Sequence, residues 1–159
     1  MPLSHVDEQG GARMVDVGAK PVTARAATAE GQVLMSPEAF ALVRDNAVRK
    51  GDVLTLAKVA GIAGAKRTAD LIPLCHPLPL DAIEVEAVAD PALPGVRVTA
   101  TARATARTGV EMEALAAVSA ACLTVYDMVK AVDRQMRIEG IQVVSKSGGS
   151  HDFDVTRDK

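Results

Sequence analysis

The hydrophobic and polar positions along the first half of the chain predict one strand followed by two helices. Residues 21–35 are β-leaning and show no helical stripe. Ser-Pro-Glu at 36–38 predicts a helix start, because Ser is a good N-cap, Pro fits the first helical position and an acid is stabilised in the first turn. That helix should run to about Asn46. Apolar residues at helical spacing predict a second helix over 53–66 or beyond, in which Gly61 and Gly64 weaken the helix or mark close approach of another backbone.

The middle of the chain predicts an ordered loop and then a β-hairpin. Residues 71–80 carry three prolines, which no regular element tolerates. Apolar and polar residues then alternate with period two over 83–87 and again over 96–103, which is typical of strands. The Pro- and Gly-containing segment 91–95 joins these two strands.

The strongest predicted element is a helix from about Glu111 to Arg134. Its apolar residues step by three and four, at Leu115, Val118, Cys122, Val125, Val129 and Val132. The opposite side, at Ala116, Ala117, Ala120 and Ala121, is apolar too. Because such a helix is buried on both faces, one face should meet another subunit in a chain of 159 residues. A last strand is expected over 136–145, followed by a loop over 146–150.

This order of elements predicts an α+β fold of the split βαβ kind, an antiparallel sheet with helices packed on one face. The length suits one domain. We therefore expect a mobile N-terminal arm at residues 1–13, a single α+β domain that carries the chemistry at 14–150, and a polar C-terminal tail at 151–159.

Composition excludes several classes of protein. Lys and Arg number 18 against 20 Asp and Glu, a net charge of −2 that argues against a general nucleic-acid coat. Trp is absent and only three residues are aromatic, so a base-stacking RNA binder is not expected. The two cysteines give neither a disulfide framework nor a metal-binding pair. The longest apolar run, 114–126, is too short to span a bilayer, and the N-terminus has no signal-peptide pattern. We expect a soluble cytoplasmic protein without a bound metal, a nucleic-acid partner or a membrane partner.

Two segments carry candidate chemistry near the middle of the chain. Cys75 next to His76 could be an activated thiolate, or a buried Cys beside a structural His; the proline-rigid loop favours a functional role. The acids Glu111 and Glu113 could be ordinary partners of a helix dipole, or could bind a polar ligand or transfer protons.

Charged residues supply further candidates. Asp127 and Lys130 share one face of an otherwise apolar helix, so they are either a surface ion pair or a partly desolvated pair suited to acid/base work. The basic residues are singly most often solvated charges, although Lys146 before Ser-Gly-Gly resembles a phosphate-approaching loop. They are Arg25, Lys50, Lys66, Arg67, Lys130 and Lys146.

Helix geometry predicts a site shared between two subunits. Glu113 and Asp127 lie about 40° apart around a helix but about 21 Å apart along its axis. If both contact one small ligand, one of them must come from a second protomer, as in antiparallel copies of the long helix.

The chain resembles the molybdenum cofactor biosynthesis protein C family over Met14 to Gly149, and the motifs described above lie within this range. The segments that carry the resemblance are Lys50–Val53, Ala65–Thr68, Asp70–Leu78, Thr108–Leu115, Leu123–Met128 with Lys130–Ala131, and Lys146–Gly149. The resemblance implies a ferredoxin-like subunit in a homohexamer, a trimer of dimers with active sites at the dimer interface. It implies a lyase that converts (8S)-3′,8-cyclo-7,8-dihydroguanosine 5′-triphosphate, a GTP-derived small molecule, to cyclic pyranopterin monophosphate and diphosphate.

The resemblance also implies roles for residues. Asp127, Lys130 and Lys50 are expected to be catalytic, with Asp127 and Lys130 as an acid/base couple and Lys50 acting in chemistry or in binding. The expected substrate-binding residues are Leu74, Cys75, His76, Glu111, Met112, Glu113, Arg25, Lys66 and Lys146. No cofactor is required by the sequence, and whether Mg²⁺ accompanies the triphosphate stays open.

Three other functions compete with this interpretation. A Cys–His hydrolase would use Cys75 as its nucleophile. A non-catalytic nucleotide- or RNA-binding module would need exposed aromatic residues, which are nearly absent. A purely structural oligomer would leave Asp127, Lys130 and the loop after Lys146 unexplained.

Overall fold

The computed structural model describes residues 3–155, and in them the α+β prediction is confirmed. The elements in chain order are β1 (Thr23–Leu34), α1 (Pro37–Arg44), α2 (Val53–Lys66), α3 (Thr68–Leu71), β2 (Ala82–Asp90), β3 (Gly95–Ala106), α4 (Glu111–Val129), β4 (Arg137–Ser147) and β5 (Phe153–Asp154). The strands form one antiparallel sheet in the order β2-β3-β1-β4-β5. Its first four strands have the βαββαβ connectivity and the strand order of a ferredoxin-like fold.

The core lies between one face of this sheet and the layer formed by α2 and α4. Alternate residues of β3, from Val96 to Ala106, are buried, whereas the intervening residues are polar. On the other face, the hydroxyls of Thr28 and Thr101 lie 2.8 Å apart and Arg103 pairs with Glu84. The period-two pattern therefore separates a helix-covered face from a polar one.

Capping residues fix both helix starts that the sequence predicts. The Ser36 hydroxyl accepts a hydrogen bond from the Ala39 amide at 3.2 Å, and Pro37 occupies the first turn. The Asp52 carboxylate caps α2 by accepting from the Thr55 amide at 3.0 Å. These bonds satisfy amides that the helix itself leaves unpaired.

The second interpretation of the glycines in α2, close approach of another backbone, is confirmed. A Cβ atom at Gly64 would lie 2.6 Å from the Ala120 Cβ and 3.0 Å from the Ala116 carbonyl oxygen. Gly61 similarly faces the Ala117 carbonyl oxygen of α4. Small residues on both helices thus allow α2 and α4 to pack backbone to backbone.

The long helix ends five residues earlier than predicted, at Val129 rather than Arg134. Asp133 accounts for the difference, because its carboxylate accepts hydrogen bonds from the Ser36 amide and the Gln135 amide, both at 2.8 Å. These bonds hold the chain in a turn that leads to β4. Val132, predicted as part of the apolar stripe, is therefore 41% exposed.

The predicted loop after the last strand begins two residues later than expected. Lys146 and Ser147 are the last residues of β4 and pair with Ala27 and Ala26 of β1. The long strand β1 supplies backbone partners up to that point, and Gly148, at φ +91°, then makes the turn. A side chain at Gly148 would collide with the Ala24 carbonyl oxygen, so the turn requires glycine.

The two ends of the chain lie partly within the described residues. Residues 5–13 of the predicted arm form a small hairpin with a bridge between Val6 and Ala12. In the predicted tail, β5 pairs with β4, and residues 156–159 lie outside the described range. The predicted domain boundaries and the mobility of the arm stay predictions.

One described helix, α4, is long and apolar enough in length and composition to cross a membrane. Here it packs against the sheet, with Val118, Cys122, Val125 and Val129 fully buried. Its apolar composition is that of a core helix.

Candidate active site

The sheet brings three chain segments together at the N-terminal end of α4. The start of β1 pairs with the end of β3 and lies beside the end of β4, so Thr23 is opposite Ala106 and Ala26 is opposite Ser147. Helix α4 begins a few residues after β3 ends. The residues that meet there, called the N-terminal cluster below, are Arg25, Cys75, His76, Glu111, Met112, Glu113 and Lys146.

An apolar cavity of about 740 Å³ lies against this end of α4. The proline-rich loop supplies one wall through Leu74, Cys75 and His76, and α4 supplies another through Glu111 and Met112. The Cys75 amide donates to the Ile72 carbonyl oxygen at 3.1 Å, which fixes the loop after α3. The remaining lining residues are His5, Ala12, Ile72, Pro73, Thr108 and Gly109.

A second cavity, of about 540 Å³, lies beside the first and is strongly basic. Four cationic side chains line it: Lys20, Arg25, Arg107 and Lys146. The two cavities share Thr108, Gly109 and Glu111, so they are neighbouring parts of one depression. The buried Nε of Arg25 has no hydrogen-bond partner within residues 3–155, which leaves a donor available beside this basic cavity.

Glu111 and Lys146 form an ion pair where the two cavities meet. The Lys146 Nζ lies 2.6 Å from the Glu111 Oε1, and both side chains are 28% exposed. Burial raises the pKa of Glu111, but the hydrogen bond from Lys146 and the charges of Lys146 and Arg25 outweigh it and leave that pKa below its usual value. Glu111 is therefore ionised at neutral pH and holds Lys146 in place.

Glu113 lies two residues after Glu111 on α4, and its environment is the opposite of that of Glu111. The residue is 2% exposed, and its Oε2 has no hydrogen-bond partner in the described part of the chain. Burial, together with the charge of Glu111, raises the pKa of Glu113 despite an opposing hydrogen bond from its own amide. Two nearby carboxyl groups thus have pKa values shifted in opposite directions, a pattern typical of acid/base sites.

The Cys75 thiol is not activated in this chain. Burial, followed by the charges of Glu113 and Glu111, raises the pKa of Cys75. Its Sγ contacts the His76 carbonyl oxygen at 3.8 Å, a contact with backbone rather than with an imidazole nitrogen. This environment does not favour the Cys–His hydrolase, because a nucleophilic cysteine needs a lowered pKa.

A second group of predicted residues, called the C-terminal cluster below, lies at the other end of α4 and consists of Lys50, Asp127 and Lys130. The Asp127 carboxylate lies 2.7 Å from the Lys130 Nζ and 3.4 Å from the Lys50 Nζ. Lys50 also donates to the Asp127 carbonyl oxygen at 2.9 Å, which satisfies an acceptor in the last turn of the helix. Hydrogen bonds from Lys130 and then Lys50 lower the pKa of Asp127.

In the single chain Asp127 and Lys130 form an exposed ion pair, the first of the two alternatives that their spacing leaves open. Their side chains are 60% and 50% exposed, Asp127 in the last turn of α4 and Lys130 at its C-cap. The spacing of the pair is confirmed, and the ion pair forms. Any desolvation must come from another molecule.

The single chain does not bring all predicted residues to one place. The N-terminal and C-terminal clusters are separated by the length of α4. Outside the C-terminal cluster, two predicted residues line neither cavity: Lys66, exposed at the end of α2, and Glu113, buried at the start of α4. Sequence reasoning missed His5, Lys20 and Arg107, whereas Thr108 lies in the segment Thr108–Leu115 that carries the family resemblance. Lys20 and Arg107 carry no motif of their own, and only the pairing of β1 with β3 brings them to the same cavity. Within residues 3–155 no group of three His, Cys, Asp or Glu side chains is placed to hold a metal ion.

Comparison with known proteins identifies the family. Residues 14–149 match the model of the MoaC family. A protein of Cereibacter sphaeroides (strain ATCC 17029 / ATH 2.4.9) named cyclic pyranopterin monophosphate synthase is 63% identical over 92% of both chains. Proteins of the same name from Methylobacterium sp. (strain 4-46) and Dinoroseobacter shibae are 61% and 56% identical, again over 92% of this chain and over 92% and 93% of theirs. The resemblance deduced from the motifs is confirmed, and the chain belongs to the MoaC family.

Proposed function

We propose that this chain is a lyase of molybdenum cofactor biosynthesis that converts 3′,8-cyclo-7,8-dihydroguanosine 5′-triphosphate to cyclic pyranopterin monophosphate and diphosphate. The similar proteins carry the name of this activity. The observation that supports it most directly is the pairing of an apolar cavity with a basic one at the N-terminal end of α4.

The two cavities match the two chemical parts of such a substrate. A purine-derived ring system is flat and largely apolar, which suits the wall made by Leu74, Cys75 and Met112. A triphosphate needs several cations and donors, which Arg25 and Lys146 supply on the basic side. Glu113 is buried at the start of α4 and its pKa is raised by burial, so in its protonated form it is suited to donate a hydrogen bond or a proton to the ring.

The catalytic site in this proposal is completed by a second copy of the chain. The clusters lie at opposite ends of α4, and Glu113 and Asp127 are about 21 Å apart along it. An antiparallel partner helix would bring the partner's C-terminal cluster to this chain's N-terminal cluster. Exposed apolar side chains on the helical layer, Leu56 and Val59 on α2 and Leu123 on α4, support such a contact.

In the shared site, Asp127 and the two lysines are the proposed proton-transfer group. The lowered pKa keeps Asp127 ionised, so that its carboxylate orients the ammonium groups of Lys130 and Lys50. Cyclisation onto the α-phosphate expels diphosphate, and positioned lysines stabilise that departing charge. Docking of the partner would remove water from the group and strengthen these interactions.

The direct test is incubation of the purified protein with the cyclised GTP-derived substrate, with detection of diphosphate and of the pyranopterin. Absence of both products at high enzyme concentration would contradict the proposed activity. The assay should be run with and without Mg²⁺, because the sequence leaves the metal requirement open.

Mixing inactive variants tests the shared site. Asp127→Asn alters the C-terminal cluster and Lys146→Ala alters the N-terminal cluster, so each variant alone should be inactive. If subunits exchange, a mixed dimer has one intact site, and random mixing should restore about a quarter of the wild-type activity. The control is a mixture of Asp127→Asn with Lys130→Ala, which are in the same cluster and should stay inactive. Failure of the first mixture to recover activity after subunit exchange would contradict a shared site.

The assembly expected from the resemblance is a homohexamer, a trimer of such dimers, in the cytoplasm. Size-exclusion chromatography with light scattering gives the mass directly. A stable and active monomer would contradict the proposal.

A further inference from the structure

The apolar cavity has a wall that comes from outside the part of the chain matched by the family model. Two of its lining residues, His5 and Ala12, precede residue 14. They lie on the two sides of the small hairpin formed by residues 5–13, called the N-terminal hairpin below. The cavity, which the His76 imidazole already lines, thus receives a second imidazole from the N-terminal hairpin.

The N-terminal hairpin is held by its own hydrogen bonds. The Arg13 amide donates to the His5 carbonyl oxygen at 3.0 Å, and the Asp7 amide donates to the Gly11 carbonyl oxygen at 2.9 Å. The Asp7 carboxylate accepts from the Gln9 amide at 3.0 Å and the Gly11 amide at 2.6 Å. Asp7 therefore closes the turn that pairs Val6 with Ala12 and His5 with Arg13, although Asp7 itself does not line the cavity.

The residues that line the cavity indicate a role for His5 in binding the substrate. Ile72, Pro73, Leu74 and Met112 cannot hydrogen-bond the polar edge of a purine-derived ring, so that edge depends on the few polar lining residues, which include His5 and His76. An imidazole carries a donor and an acceptor on a rigid ring, so it can pair with such an edge and cover its face. Apolar pockets commonly orient their ligands through a few polar groups of this kind.

We propose that His5 is a substrate-binding residue, that it contacts the ring part of the GTP-derived substrate, and that Asp7 is a positioning residue that acts by closing the N-terminal hairpin. This inference rests on the proposed function. It adds to the site a residue and a segment that the sequence motifs did not include.

The test is steady-state kinetics of diphosphate release with the cyclised GTP-derived substrate. Loss of one hydrogen bond that is present both in the bound substrate and in the transition state should raise KM of His5→Ala about threefold to tenfold and leave kcat within about twofold. The matched control is His151→Ala, because His151 is exposed and does not line the cavity. Its KM should equal that of the wild type.

Asp7 variants test the positioning. Asp7→Ala should raise KM in the same direction, whereas Asp7→Asn, which keeps an acceptor oxygen, should recover most of the loss. The double variant with His5→Ala should be no worse than His5→Ala alone, because both changes remove the same contact.

The outcomes separate this inference from the proposed function. An active wild type whose KM is unchanged by His5→Ala, or a double variant with additive losses, would overturn the inference and leave the proposed function intact. A wild type that releases no diphosphate would overturn both.

Discussion

Glu113 shows how burial sets the protonation of one residue in the N-terminal cluster. Its pKa is raised, so the folded state binds a proton more tightly than the unfolded state does. The stability gained from this tighter proton binding is fully present below the pKa that Glu113 has in the unfolded chain. It is lost as pH rises through the raised pKa that Glu113 has in the folded chain. Relative to Glu113→Gln, wild type should therefore lose stability as pH rises from about 4.3, the ordinary pKa of Glu, through the raised pKa of Glu113. The urea unfolding midpoints of wild type and Glu113→Gln, measured at several pH values in that range, test this prediction. A difference between the two midpoints that does not change with pH would contradict a raised pKa of Glu113.

The cysteines allow a second prediction at the residue scale. Burial raises the pKa of Cys75, and raises that of the fully buried Cys122 to about 11. Both thiols should therefore react with iodoacetamide at pH 7 more slowly than free cysteine, with Cys122 the slower of the two. Cys75→Ser should keep kcat within about threefold, since a hydroxyl of similar size lines the cavity. Rapid inactivation by the alkylator, together with loss of kcat in Cys75→Ser, would restore the hydrolase alternative.

Asp127 and Lys130 give the sharpest catalytic prediction. Asp127→Asn and Lys130→Ala should each lower kcat by about 10² to 10⁴, the range typical of a lost acid/base group. Both side chains are exposed in the chain, so the unfolding midpoint should stay at the wild-type value. Product formation near the wild-type rate in both variants would reject this couple.

At the scale of elements, the contact between α2 and α4 depends on the absence of side chains at two positions. Gly64→Val places atoms where the Ala120 Cβ and the Ala116 carbonyl oxygen already lie, so it should destabilise the fold by about 1–3 kcal/mol. Ala63→Val introduces the same residue at the neighbouring exposed position and should change stability by no more than about 0.5 kcal/mol. Chemical unfolding at one protein concentration gives the unfolding free energies of the Gly64→Val and Ala63→Val variants for comparison. Equal effects of the two variants would show that the close approach is unimportant.

Elements were largely predictable because each carries its own local signal. Ser36, Pro37 and Asp52 mark helix starts by capping chemistry, and the alternation in β3 marks its buried face. The C-terminus of α4 was not predictable, because Asp133 ends the helix through a hydrogen bond to the distant Ser36 amide. The extension of β4 through Ser147 likewise depends on backbone partners in β1.

At the scale of the whole molecule, the proposed dimer should depend on apolar residues exposed on the helical layer. Leu123, on α4, is 61% exposed. Leu123→Glu should shift the protein to smaller species on size-exclusion chromatography and should lower activity in parallel, because a charge is costly to bury in an apolar contact. Leu123→Met keeps an apolar side chain and should retain both the mass and the activity. Full activity of a monomeric Leu123→Glu protein would contradict the shared site.

The amino-acid sequence by itself determined the order of the elements, the residue types of the site and the family, because periodicity, capping and contiguous motifs are local properties of the chain. It also placed Glu113 and Asp127 too far apart on one helix to meet a single small ligand. Only the tertiary structure decided that Arg25, Cys75, Glu111 and Lys146 meet at one end of α4, since strand pairing joins residues remote in sequence. It alone decided that Asp127 and Lys130 are exposed and that His5 reaches the cavity, because exposure and cavity walls depend on how the elements pack.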